Sequence, residues 1–365
     1  MNRMTLSAAV YGGLLALLSA GAWAKYTAAP ALELDGKVVL LQGEEAELES
    51  ITWLADKKDK AVIVKKTDAA GEYWEVTYTK WTEKKAPAPP PTEQPAPTAG
   101  EAPAGPSATP EAAPAPAAAP ADAEPTYDES TQVWKAGDEA GKLAKSLSPL
   151  LAIRKLELTP DKLETTGLDK VEEFLEISRK GKTIKLEVGG EVYGTRDRYV
   201  RDTSTQEVFL VDDELLRPLK YARTRLPDRT LWSLDPQKVS KVTIGGGAGS
   251  LDVLHKNAQD IENAAWVRAS APDATDEQLK TWMDKALKLK STAYAEATDT
   301  FDGLELKFSL RLEDEKGKAE TLQVFSTPDG KGDWWAKSEH TRGYVKLLKG
   351  PTSSLHEDVA GLIGG

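Results

Sequence analysis

The chain has 365 residues, 40% of them hydrophobic and 29% charged, which is enough for two domains with cores of their own. Its net charge is −11, with Lys and Glu interspersed, and that argues against a broad nucleic-acid footprint. Cysteine is absent, so a disulfide framework, a thiolate metal site and a lipid-modified N-terminal Cys are all excluded.

From Met4 to Ala24 the chain carries no charge, and Arg3 and Lys25 flank the run. Two readings compete for residues 1–35. A retained signal anchor needs about 20 apolar residues to cross the hydrocarbon layer. The run is that long, with Trp23 and Tyr26 placed as interfacial aromatics. A cleaved signal peptide needs a small-x-small site, which Ala22-Trp23-Ala24 supplies. The length favours an inner-membrane anchor with Arg3 inside and a periplasmic body. The alternative is a secreted or periplasmic body after cleavage.

A first module is expected over residues 36–235. It opens with short strands ITWL (51–54) and AVIV (61–64), a Gly-bearing turn and a strand WEVTYTKW (74–81). Residues 86–125 are then rich in Pro and Ala, holding more than half of the chain's 22 prolines and no aliphatic residue larger than Ala. Such a tract cannot pack a core. TQVWKAG (131–137) follows, able to return beside 74–81 as an elongated hairpin. The spacing predicts a helix over 140–153, with Leu143, Leu147, Leu150 and Leu151 on one stripe and Pro149 kinking or shortening it. Strands FLEIS, KTIKLEV, DRYVR and EVFLV come next, then a helix ELLRPLKYARTRL.

A second module, 236–365, reads alike. KVTI and LDVL flank GGGAGS (245–250), the strand around Trp266 follows, and a helix opens at Thr275 as N-cap with Gln278 three residues on. Strands LELKFSLRL, ETLQVF, DWWAK and GYVKLL close it. The likeness has a period. Leu143 falls on Leu279, Gly167-Leu168 on Gly303-Leu304, Gly181-Lys182 on Gly317-Lys318, Leu186 on Leu322 and Leu219 on Leu355, all at an offset of 136 without a gap. Trp74 falls on Trp266 at an offset of 192, which makes the Pro-Ala tract an insertion within the first copy. The expected fold class is therefore α+β, two tandem copies of an antiparallel-sheet-plus-helix module.

No catalytic signature emerges. His255, His340 and His356 have no second ligand at metal spacing, and no G-x-S-x-G elbow is present. GGGAGS leads into a strand and lacks the Lys-Ser/Thr pair of a phosphate loop, so it reads as a hairpin turn. STPDGKGDWW (326–335) lacks most ligands of a calcium loop and reads as a turn too. Asp212-Asp213-Glu214 sit where they cap a helix. Two features suggest a partner surface. Arg196, Arg198 and Arg201 lie in one strand region, where alternation turns at least one guanidinium to solvent unless Asp197, Asp202 and Asp228 pair with them. Trp334 and Trp335 are adjacent on a strand, so one ring is expected to face outward. No cofactor, metal ion, nucleic acid or small-molecule substrate is inferred.

Residues 167–240 carry GLD, GKTIKLEVGGEVYGTRDRYVR, EVFLVDDELLRPL, RTRLPDRTLW and SLDPQKVSKVTI in that order. This wording resembles the domain-of-unknown-function family four-three-four-zero. Its Leu-x-Asp-Arg-x-Leu segment corresponds here to Leu226, Asp228, Arg229 and Leu231. The likeness extends over most of residues 40–350. It implies an exported, single-span anchored protein of the kind often encoded beside an ABC-type permease and a gliding-motility-type auxiliary protein, either of which is then a possible partner, without implying any chemistry. The Pro-Ala tract departs from the family pattern. The expected function is a non-catalytic extracytoplasmic scaffold or accessory subunit of such a complex. An envelope carbohydrate or peptidoglycan binding module is the alternative.

Overall fold

The computed structural model describes residues 33–34, 36–84, 126–260 and 262–364; the leader and the Pro-Ala tract lie outside them. Alternating apolar residues decide the architecture, because period-two patterns bury one face of an antiparallel sheet. The strands are β1 (Glu33–Leu34), β2 (Lys37–Leu41), β3 (Leu48–Ala55), β4 (Asp59–Asp68), β5 (Gly71–Glu83), β6 (Tyr127–Lys135), β7 (Leu150–Ala152), β8 (Arg154–Leu156), β9 (Glu173–Arg179), β10 (Lys182–Glu191), β11 (Asp197–Asp202) and β12 (Val208–Asp212). They continue with β13 (Val239–Gly246), β14 (Gly249–Lys256), β15 (Ala265–Arg268), β16 (Ser291–Tyr294), β17 (Glu305–Asp314), β18 (Ala319–Ser326), β19 (Trp334–Ser338) and β20 (Val345–Leu347). The helices are α1 (Asp138–Ser146), α2 (Leu163–Thr166), α3 (Asp213–Lys220), α4 (Ala222–Arg225), α5 (Glu277–Ala286) and α6 (Lys349–Gly364). The fold class is α+β.

A nine-stranded sheet runs β6-β5-β4-β3-β9-β10-β11-β12-β8, and an eight-stranded sheet runs β15-β14-β13-β17-β18-β19-β20-β16. From β5 onward the first order matches the second strand for strand, with α1 and α5 entering at equivalent places. A small sheet, β1-β2-β7, stands apart. β5 pairs with β6 from Glu75↔Lys135 to Glu83↔Tyr127, so both ends of the Pro-Ala tract leave one hairpin.

The offset of 136 is not gap-free. Ile184 faces Ile177 across β9–β10, whereas Glu320, its counterpart, faces Leu312, which lies 135 positions from Ile177. The connections differ in length: Lys180-Gly181 joins β9 to β10, and residues 315–318 join β17 to β18.

Helix α1 ends at Ser146, with Leu147 closing it, so Leu150 and Leu151 stand on a strand beside β2 rather than on a helical stripe. Pro149 explains the stop, since it has no N–H for the helix and disfavours helical geometry in the residue before it. The N-cap of α5 is Asp276, whose side chain accepts from Leu279 N at 2.9 Å, rather than Thr275. The closing helix α6 was not anticipated. Leu355, Val359 and Leu362 form its buried stripe and cover β13, β14 and β17, each worth roughly 1.5–3 kcal/mol of burial. Gly246 makes that approach possible, because a Cβ there would stand 2.6 Å from Val359 Cγ1.

Candidate functional site

Segment 226–231 follows α4 and carries the Leu-x-Asp-Arg-x-Leu pattern. Leu226 and Leu231 are fully buried and pin its two ends. Between them the backbone runs antiparallel to the end of β6: Asp228 N donates to Lys135 O at 3.0 Å and Gly137 N to Leu226 O at 2.8 Å. The approach is close, since a Cβ on Gly137 would meet Asp228 Cα at 3.2 Å.

This docking places Asp228 at the hub of an ionic cluster. Its Oδ2 accepts from Lys135 Nζ at 2.6 Å and from His340 Nε2 at 2.8 Å. Its Oδ1 accepts from Thr230 N at 2.9 Å and Thr230 Oγ1 at 2.6 Å. Burial would raise this carboxyl, but hydrogen bonds from His340, Lys135 and Thr230 outweigh it and hold the group well below the usual carboxylate range. The three partners come from three places: β6 of the first sheet, the connecting segment, and the β19–β20 connection of the second sheet. A cleft of about 710 Å³ opens beside them, lined also by Glu72, Trp74, Lys142 and Arg225.

The cluster has catalytic residue types without relay geometry. Thr230 Oγ1 lies 2.9 Å from His340 Nε2, the same nitrogen that faces Asp228, and Lys135 Nζ is 2.8 Å from it. A nucleophile–base–acid relay needs the two ring nitrogens to face opposite partners. Here one nitrogen faces all three, and the threonine hydroxyl is spent on Asp228.

Further ties cross the same junction. Arg342 pairs with Asp68, its Nη2 3.0 Å from Oδ1, and its guanidinium lies 4.0 Å from the Tyr73 ring centroid. The Asp68 carboxyl is lowered to about 2, chiefly by that hydrogen bond. Tyr294 donates to Asp228 O at 3.0 Å, and Gln132 of β6 forms an antiparallel bridge with Glu296 beyond β16. The edge strand β6 of one sheet thus meets the edge strand β16 of the other.

The sequence-derived surface is not assembled. Arg198 is 7% exposed, donating to Glu173 at 2.7 Å and to Gly189 O. Arg201 is held by Glu187 and by Leu168 O at 3.1 Å. The pairing partners are therefore Glu173 on β9, two strands across the sheet from Arg198, and Glu187 on the adjacent β10, rather than Asp197, Asp202 and Asp228. Trp334 and Trp335 are both buried, at 1% and 7% exposure. Trp334 lies near His356 of α6, and Trp335 meets Phe301 edge-on at 5.2 Å, so the second face of this strand is covered as well. Only Arg196 of the five is exposed. Sequence reading missed Lys135 and His340, which carry no local signal. It reached Asp228 only as a motif position and as a candidate partner of the arginine strand.

Among the described residues no helix is long and apolar enough to cross a membrane, and the leader run lies outside them. No group of three or more His, Cys, Asp or Glu side chains there could hold a metal ion.

Fold and junction define an antiparallel α+β protein whose two sheets meet edge to edge through hydrogen bonds and ion pairs centred on Asp228 and Asp68. Residues 134–307 match the model of the family described as Domain of unknown function (DUF4340). Lys135 and Asp228 lie inside the matched span and His340 outside it. No curated protein and no solved structure matches the chain.

Proposed function

We propose that this protein is a non-catalytic scaffold, an accessory subunit of an ABC-transporter-like or gliding-motility-type envelope complex, tethered by its N-terminal segment with its body in the periplasm. Two tandem copies of one module form that body, a reading supported by the shared strand order and the near-constant offset. The observation that carries the proposal is the Asp228 cluster. The polar groups best suited to chemistry are consumed in fastening one sheet to the other, which favours a rigid two-part surface over a reaction centre. The envelope-polymer alternative loses its aromatic platform, because Trp334 and Trp335 are both buried.

A tagged full-length chain, recovered from detergent extracts, tests this. Stoichiometric recovery of a membrane permease and an ATPase supports the scaffold. Retention on purified cell-wall sacculi with no such subunits would overturn it.

A further inference from the structure

Beside segment 224–230 lies a second cavity of about 310 Å³, between β6, α4 and β16, which shares Thr224, Pro227 and Arg229 with the cleft at the ionic cluster. Its volume suits a small organic molecule. The wall brings together Arg223 of α4 and Arg229 of the connecting segment, with Trp134, Pro227, Ala293 and Tyr294 forming an apolar surround. Arg198, Arg201, Arg268 and Arg342 each have a carboxylate partner, whereas Arg223 and Arg229 have none among the described residues.

Glu296 is the one carboxylate in the wall, and it accepts from Gln132. Asp228, behind the wall, is consumed by Lys135 and His340. Two arginines without a carboxylate partner therefore line the cavity against a single carboxylate, in a chain whose net charge is −11.

We infer that this cavity binds a small organic oxyanion, a carboxylate or a phosphate monoester, with Arg223 and Arg229 gripping the anionic group. Guanidinium forks match both oxyanions, and the apolar surround accepts the rest of the molecule. The site belongs to the junction, since β6 and α4 come from the first sheet's part of the chain and β16 from the second sheet. Occupancy would add a further tie across it. The inference does not depend on the scaffold reading: partner recovery and small-ligand binding are separate measurements.

Titration calorimetry on the full chain, with glucuronate and glucose 6-phosphate as probes, tests the site. The expected result is saturable binding of at least one probe, and the one that binds identifies the oxyanion. Arg223→Gln with Arg229→Gln weakens it by at least about tenfold. Arg217→Gln, on α3 outside the cavity, leaves affinity unchanged. Melting curves establish that each variant is folded, and Arg229→Lys, which keeps the charge but loses the fork, gives an independent second variant with reduced affinity. No saturable heat from either probe up to about 10 mM, or unchanged affinity in the folded double variant, overturns the site.

Discussion

Lys135 and Asp228 are 93 residues apart in sequence and meet at 2.6 Å, with only 12% and 11% of their side chains exposed. Taking both charges out of water is costly, and removing one alone leaves the other buried without a counter-charge. Asp228→Asn is therefore expected to destabilise the protein by about 3 kcal/mol in urea denaturation. Replacing both, as Lys135→Met with Asp228→Leu, loses less than the sum of the single changes. The pH dependence has a defined sign. Because the folded carboxyl is lowered, its contribution is full above the unfolded value of about 4 and is lost as pH falls through the folded one. Stability curves of the wild type and Asp228→Asn should converge below pH ~4. Curves that stay parallel there would show that the charge contributes nothing.

Arg198 and Arg196 should separate cleanly. Arg198 is buried against Glu173, so Arg198→Met costs about 3 kcal/mol. Arg196 sits exposed in the β10–β11 connection, and Arg196→Glu leaves the melting curve unchanged. Equal losses in the two variants would contradict the burial difference.

Gly246→Val should be destabilising by about 1–3 kcal/mol, because the added side chain drives into Val359 and Ile363 of α6. Gly247→Ala, in the adjacent turn with open space around it, serves as the control. Protease susceptibility of residues 349–364 should rise in the valine variant alone.

Residues 86–125 should be replaceable by a five-residue loop. Lys84 N donates to Thr126 O at 2.8 Å, so the two ends of the tract already lie side by side. Shortening a closed loop reduces its entropy cost, and the expected change is between zero and a gain of about 2 kcal/mol. A loss of stability would mean that the tract contributes contacts of its own.

His255 is expected to make the fold sensitive to mild acid. Burial against Trp266, with the rings stacked at 3.8 Å, lowers its pKa despite the hydrogen bond to Val239 O. As pH falls below the unfolded value of about 6.5 the unfolded chain takes up the proton first, so stability decreases. His255→Phe keeps the stack and should flatten the stability profile between pH ~7 and 5. An unchanged slope would place the titration elsewhere.

Much of the fold was readable because its signals are local. The alternation in β9 to β12 and β17 to β20, the glycine turn before β14, and the β5–β6 hairpin around the Pro-Ala tract follow from residues within one or two strands of each other. The stripe of α6 was equally local and could have been found from Leu355, Val359 and Leu362. The stop of α1 at Pro149 was legible only as a kink or shortening; that Leu150 turns into a strand depends on β2 being there to receive it.

The sequence by itself determined most of the strands, helix α5 and the α+β class, since periodicity and turn chemistry act over a few residues. Tertiary structure alone decided what the charged and aromatic side chains do. Arg198 and Trp334 occupy matching rungs, facing Val211 and Leu347 on the next strand. Both are buried, one by Glu173 and a backbone carbonyl, the other beneath α6. Likewise no pattern within β6, segment 226–231 or residues 339–344 indicates that Lys135, Asp228 and His340 converge. Their meeting depends on how the two sheets dock edge to edge, and burial and charge pairing at that junction arise only from the assembled fold.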